Sequence, residues 1–271
     1  MEIFTINDNR LEVQQIAGAK LLAPIVFLHE GLGSVSLWTQ RGLDWPAAVC
    51  KATGRAGVVY SRRGYGQSDP SARSPASGRH PSLLTPDYLH REAWEVLQTL
   101  LGQLQLQKPE NPAFKNPVLL GHSDGASIAL LYASRFPVAA CIAMAPHVLV
   151  EDIAVQAITG ARAEFESGLL RDRLARHHAD VDGAFWQWND VWLSEAFRSF
   201  DIRRECARIS APLLLVQGLN DEYGSLRQLD EIALAVPQAK QIRLADCGHS
   251  PQRDQPGATL EAVAEFLKTV G

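Results

Sequence analysis

The chain has 271 residues, 46% of them hydrophobic, and its 30 acidic and 26 basic residues give a formal net charge of −4. That is enough apolar material for one large core, and the charges are scattered without the like-charge run that marks a nucleic-acid or membrane surface. No segment approaches the roughly 18 uninterrupted apolar residues that span a bilayer, and the first ten residues hold no signal-like apolar stretch, so a cytoplasmic protein with a small-molecule substrate is expected.

Two short β-favouring runs, Ile3 to Ile6 and Leu11 to Ile16, flank the polar cluster Asn7-Asp8-Asn9 and predict a hairpin. Six short apolar runs then read as buried parallel strands: Ile25 to Leu28, Gly57 to Tyr60, Val118 to Leu120, Ala139 to Met144, Leu213 to Val216 and Gln241 to Leu244. Between them, apolar residues at three-to-four spacing predict helices over Tyr88 to Leu106, Ala126 to Phe136 and Leu260 to Val270. This alternation after an antiparallel start implies an α/β fold with a mostly parallel sheet covered on both faces. Pro70 to Pro86, rich in Ser, Pro and Arg, is expected to be an exposed loop.

From about His147 to Ile202 no strand pattern occurs, and Phe185, Trp188 and Trp192 recur at helical spacing. The expected organisation is therefore a core of residues 1–146 and 203–271 with a helical cap at 147–202. Ligands of such sheets bind beyond the carboxyl ends of the strands, so an insertion after the fourth of the six runs is placed to roof the crevice. Trp188 and Trp192 either pack the insertion onto the core or contact substrate. Cys50, Cys141, Cys206 and Cys247 lie far apart with no CxxC pair, which points to free thiols rather than to a zinc site or disulfides. The His177-His178 pair with Asp180 and Asp182 reads as a solvated helix end rather than a metal site.

The strongest local signal is Gly121-His122-Ser123-Asp124-Gly125, which follows an apolar run and opens a helical pattern. G-x-S-x-G in that context is a nucleophile elbow: a sharp turn lifts the serine hydroxyl clear of the sheet, and the glycines let strand and helix pass closely. A serine hydroxyl needs a base, and the base needs a carboxylate to fix its tautomer. Asp221, in Gly218-Leu219-Asn220-Asp221, and His249, in Cys247-Gly248-His249, each follow a predicted strand, in the order Ser, Asp, His. Glu222 is the alternative acid, and His122 is expected to be a neighbour of the elbow rather than the base.

These motifs, with Phe27-Leu28-His29-Glu30-Gly31-Leu32-Gly33-Ser34 after the third predicted strand and Ser61-Arg62-Arg63-Gly64-Tyr65-Gly66-Gln67-Ser68 after the fourth, resemble the α/β-hydrolase family over essentially the whole chain. Ser61 stands where the family's D-x-R-G-x-G-x-S segment has its acid. The resemblance implies an eight-stranded, mostly parallel sheet with a helical cap. It also implies an oxyanion hole made by the backbone N–H groups of Asp124 and of Gly31, with Glu30 or Leu32 as alternatives to Gly31. Glu30 is either salt-bridged or reaches substrate, and the Asp124 carboxylate either attracts a substrate amine or bonds nearby loops. The expected activity is hydrolysis of carboxylic esters of small to medium acyl groups through an acyl-enzyme, with no metal or organic cofactor. A carbon–carbon bond hydrolase using the same triad, and a non-catalytic ligand-binding protein on this scaffold, are the alternatives. Epoxide hydrolases and haloalkane dehalogenases are disfavoured, because they carry a carboxylate where this chain has Ser123.

Overall fold

The computed structural model describes residues 1–71, 84–107 and 112–270; most of the loop expected at Pro70 to Pro86 therefore lies outside the described residues. Strands β1 (Glu2–Ile6) and β2 (Asn9–Ile16) form the predicted hairpin. Its turn residues Asn7 and Asp8 have φ of 49° and 63°, the left-handed pair that a two-residue hairpin turn demands and that Asn and Asp tolerate.

The remaining strands of the sheet are β3 (Ile25–Leu28), β4 (Gly57–Tyr60), β5 (Val118–His122), β6 (Ala140–Met144), β7 (Leu213–Gly218) and β8 (Lys240–Leu244). Among the described residues eight strands form one sheet in the order β1-β2-β4-β3-β5-β6-β7-β8, with β3 to β8 all parallel. The register pairs Leu28 with Tyr60 and Gly121, His122 with Met144, and Gly218 with Leu244. The carboxyl ends of these strands are thereby aligned along one edge, and the loops carrying His29, Arg62, Ser123, Asp221 and His249 all leave from it.

Alternate residues of these strands serve two cores, as strands buried on both faces must. Val26, Leu28, Leu119 and Leu215 pack on one face with α3 (Gln98–Gln107) and α4 (Asp124–Ala133). Phe27, Leu120, Ile142 and Val216 pack on the other with α1 (Trp45–Thr53) and α11 (Pro256–Lys268). The helix expected from Tyr88 to Leu106 is interrupted: α2 (Tyr88–Arg91) passes into a π-helical stretch, Glu92–Leu97, before α3 begins. Helix α9 (Arg227–Ala235), which was not predicted, lies in the connection between β7 and β8.

The segment from His147 to Ile202 is helical, with α5 (Asp152–Glu166), α6 (Leu169–Leu174) and α7 (Val181–Leu193). An antiparallel bridge between Leu149 and Asp201 draws its two ends together. Within it Phe165 stacks on Phe185 at 3.8 Å between ring centroids, fastening α5 to α7. Two further short helices are α8 (Arg203–Cys206) and α10 (Pro251–Asp254). No helix among the described residues is long and apolar enough to cross a membrane.

Candidate active site

Ser123 joins β5 to α4 with φ 54° and ψ −118°, a backbone conformation that residues bearing a β-carbon rarely adopt. The turn is held by close approach on both sides. A β-carbon on Gly121 would lie 2.1 Å from the Gly125 carbonyl oxygen, and one on Gly125 would lie 2.0 Å from the Leu28 carbonyl oxygen of β3. The Ala126 and Ser127 N–H groups donate to the Ser123 carbonyl at 2.9 and 3.0 Å, so the helix starts at once and leaves the hydroxyl at the strand edge.

The Ser123 hydroxyl donates to Nε2 of His249 at 2.9 Å, and Nδ1–H of His249 donates to Oδ1 of Asp221 at 2.8 Å. All three residues are less than a tenth exposed. Asp221 is fixed by further donors: the Tyr223 and Gly224 N–H groups at 2.8 and 3.1 Å on Oδ1, and Gln217 Nε2 at 3.0 Å on Oδ2. Burial works against its ionisation, but the hydrogen bond and charge of His249 and the Tyr223 N–H outweigh it and hold the carboxyl below its ordinary range. Glu222, the alternative acid, meets the backbone of His249 rather than its ring, accepting from the N–H at 3.2 Å. The two loops are close-packed: a β-carbon on Gly218 would lie 2.1 Å from the Cys247 carbonyl oxygen.

Three rings surround His249. Tyr223, His122 and His147 have centroids 4.7, 5.2 and 5.6 Å away. His122 lies beside the elbow as expected and is not within reach of the serine as a base; its Nε2–H donates to the His249 carbonyl at 2.7 Å, while Nδ1 faces Gln252 Nε2 at 3.0 Å and Glu30 Oε2 at 3.4 Å. Sequence reasoning passed over His147 as the first residue of the insertion. Its backbone is tied to the Ser127 hydroxyl, and burial, with the charge of His249, lowers its pKa to about 3, so the ring beside the base is neutral.

The Asp124 N–H opens α4, where a helix has no acceptor of its own for the first amides. Glu30, Gly31 and Leu32, the three residues proposed for the other oxyanion donor, border the same cavity as Ser123. Gly31 is closely covered, because a β-carbon there would lie 2.1 Å from Nε1 of Trp188. The loop is braced from below by Arg62, whose guanidinium donates to the carbonyls of His29 and Glu30 and whose N–H donates to His29 Nε2 at 3.0 Å. Glu30 is paired with His122: burial opposes its charge, yet the His122 hydrogen bond and charge and the His29 ring bring its pKa down to about 2.

The Asp124 carboxylate is not directed at a substrate. It is buried, accepting from the Tyr88 hydroxyl at 2.6 Å and from Trp192 Nε1 at 3.2 Å, with Arg62 3.7 Å away. Of the two roles expected for Trp192, this network gives it packing. Its indole is 1% exposed and does not border the cavity; its N–H is occupied in satisfying a buried carboxylate. Trp188, one helical turn earlier, does border the cavity. The acid missing at Ser61 is supplied from another strand: Glu12 of β2 accepts from the Ser61 hydroxyl at 2.7 Å and from the Gln67 N–H at 3.0 Å. No motif in the sequence marks Glu12.

Ser123 and His249 open onto a cavity of about 1130 Å³ walled by the strand-end loops and by α5, α6 and α7. Its apolar wall includes Leu37, Ala157, Leu170, Leu174 and Trp188. His177 and His178 are engaged in the fold, His177 Nδ1 with the Ser36 hydroxyl at 2.9 Å and His178 with the Gly66 N–H and the Leu32 carbonyl. Among the described residues no group of three or more His, Cys, Asp or Glu side chains has metal-binding geometry.

Over residues 25–262 the sequence matches the alpha/beta hydrolase family. A sequence search of curated proteins finds no match. Solved structures with the same fold include the enol-lactonase from Burkholderia xenovorans LB400, 19% identical with a TM-score of 0.72 over 98% of this chain and 100% of that one. A thermophilic esterase from Thermogutta terrifontis is 16% identical with a TM-score of 0.68 over 99% of this chain and 98% of that one. A structure from work on the carboxylesterases of the ammonia-oxidizing thaumarchaeon Nitrososphaera gargenis is 14% identical, with a TM-score of 0.69 over 99% and 98% of the two chains. Matched to the family across most of its length, with the sheet order and the strand-to-helix turn described above, the chain belongs to the alpha/beta hydrolase family and is a hydrolase.

Proposed function

We propose that the chain is a serine hydrolase of carboxylic esters, with Ser123 as nucleophile, His249 as general base and acid, and Asp221 as the carboxylate that orients His249. The observation that carries this reading is the unbroken hydrogen-bond chain from the Ser123 hydroxyl through both ring nitrogens of His249 to Asp221, at the edge of a cavity of about 1130 Å³. Ser123 attacks the ester carbonyl as His249 takes its proton; His249 returns that proton to the leaving alcohol, and water repeats the sequence on the acyl-enzyme.

The charge that develops on the carbonyl oxygen is met by the N–H groups of Asp124 and of the Glu30-Gly31-Leu32 loop, Gly31 being the assigned donor. Such donors contribute about 3 to 4 kcal/mol each to the transition state. Asp221 stays ionised, and its positioned charge favours the imidazolium form that His249 passes through. Residues 147–202 act as the cap, with Trp188 as the aromatic wall over Gly31 and Glu30 as a side chain at the edge of the acyl site. The apolar lining favours small to medium acyl groups, and a lactone, being a cyclic ester, is open to the same attack.

The test is turnover of p-nitrophenyl esters of increasing acyl length by the wild type and by Ser123→Ala. The wild type is expected to cleave them and the variant to lose at least about 10³-fold in kcat. Equal turnover by both proteins would overturn the assignment of Ser123.

A further inference from the structure

The arginines and the acids at the wall of the cavity are not all paired with one another. Four arginines border it, and two of them are paired: Arg173 with Glu164 at 2.8 Å, and Arg253 with Asp254 at 2.8 Å. The other two cavity acids are also engaged, Glu30 with His122 and Glu222 with the His249 N–H. Arg41 and Arg176 remain. Among the described residues neither has a carboxylate within ion-pair distance, and the one hydrogen bond of Arg176 is a long one, 3.5 Å, to the Arg173 carbonyl.

Both arginines are exposed residues that border the cavity, each on a short connection whose backbone the fold fixes. Arg41 occupies the first position of a two-residue turn between the short strands Thr39–Gln40 and Leu43–Asp44. Arg41 and Gly42 have φ of 52° and 79°. Asn-Gly is the favoured pair for such a turn, and an arginine there adopts a backbone conformation unfavourable for a residue with a β-carbon. The hairpin nonetheless presents Arg41 to the cavity. Arg176 follows α6, and the next residue, His177, is bonded to Ser36 at 2.9 Å. That bond ties the end of α6 to the segment leading into the Arg41 hairpin. Leu37, Leu170 and Leu174 border the same cavity as these arginines and Ser123, and they suit a methylene chain.

We infer that Arg41 and Arg176 form a carboxylate subsite, and that the preferred substrates are esters or lactones whose acyl part bears a carboxylate at the end remote from the scissile carbonyl. Guanidinium groups are the side chains best matched to a carboxylate, and two without a carboxylate partner of their own have donors left for a ligand. The inference rests on the ester-hydrolase reading above for the position of the scissile carbonyl.

The experiment compares p-nitrophenyl hemiesters of glutaric, adipic and pimelic acids with their methyl-capped counterparts, which have the same length and no charge. In the wild type the charged-to-capped ratio of kcat/KM is expected to reach about tenfold at the best chain length and to fall in high salt. In the double variant Arg41→Gln/Arg176→Gln the ratio is expected to fall to about one. A wild-type ratio near one at every length, or a ratio unchanged in the double variant, would overturn the subsite while leaving the hydrolase reading intact. If the wild type cleaves none of these esters, the hydrolase reading fails instead. The subsite is then decided by thermal shift with free adipate against butyrate at matched ionic strength. Stabilisation by adipate that is lost in the double variant upholds it; no stabilisation overturns it.

Discussion

Gly31 illustrates how much of the site depends on single atoms. A β-carbon there would press on the Trp188 indole nitrogen from 2.1 Å, so Gly31→Ala must displace either the indole or the loop that is to offer the oxyanion donor. The expected result is a fall in kcat of at least about tenfold, since a donor moved by even 1 Å loses most of its transition-state value. Unchanged kcat with an unchanged melting temperature would show that the loop tolerates the methyl group. In Asp221→Asn the atom at the Oδ1 position meets the Tyr223 and Gly224 N–H groups and His249 Nδ1 together: an amide nitrogen there selects the wrong tautomer, an oxygen there turns the amide onto the Gln217 Nε2 donor, and either way the charge is lost. A loss of about 10⁴-fold in kcat at constant fold is expected, read from steady-state turnover alongside circular dichroism. Ser123, Asp221 and His249 were legible in the sequence because elbow chemistry needs glycines at fixed offsets and each partner follows a strand. Trp192 and the Asp124 carboxylate were not. Spacing places two tryptophans on one face of α7 but says nothing of the Tyr88 hydroxyl and the Arg62 guanidinium, distant in sequence, that share Asp124 with Trp192.

Among the elements, the strands were the plainest in the sequence because residues buried on both faces leave continuous apolar runs bounded by polar loops. Two helices were harder. In α1 only nine residues are helical, too few for periodicity to stand out, although Asp44 capping the Ala47 N–H and Pro46 in the first turn form a start signal. In α9 Gln228 is fully buried beside Leu229 and Ile232, bonding the Val148 N–H and the Leu149 carbonyl, so a polar residue occupies a core position that no hydrophobic pattern reveals. Glu12 works in the same way at the scale of strand and loop, joining β2 to the turn after β4 through Ser61 and Gln67. Glu12→Ala removes the acceptor that the Ser61 hydroxyl and the Gln67 N–H share, and a loss of about 1 to 3 kcal/mol is expected in urea unfolding. A change within error would mean that the Ser61 and Gln67 groups find other partners.

For the molecule as a whole, buried neutral histidines tie stability to pH. Burial lowers the pKa of His147 to about 3 and that of His178 to about 4, and it pushes His29 well down as well. An unfolded imidazole takes up its proton near pH 6.5, whereas these native ones remain neutral, so between about pH 6.5 and pH 4 the unfolded chain binds more protons and stability falls on acidification. Each histidine contributes a slope of about 1.4 kcal/mol per pH unit within that window. His147 faces His249, Asp221 and His122, and replacing it with phenylalanine should reduce the stability lost between pH 7 and pH 5 by about 2 kcal/mol, measured by urea unfolding at both values. Equal losses in the two proteins would show that His147 titrates normally. The catalytic proposal itself is tested most directly by pre-steady-state cleavage of p-nitrophenyl acetate with mass analysis of the protein. A burst equal to the enzyme concentration, with one acetyl group on Ser123 and no burst or adduct in Ser123→Ala, is the predicted result; an adduct elsewhere, or a burst that survives the substitution, would contradict it.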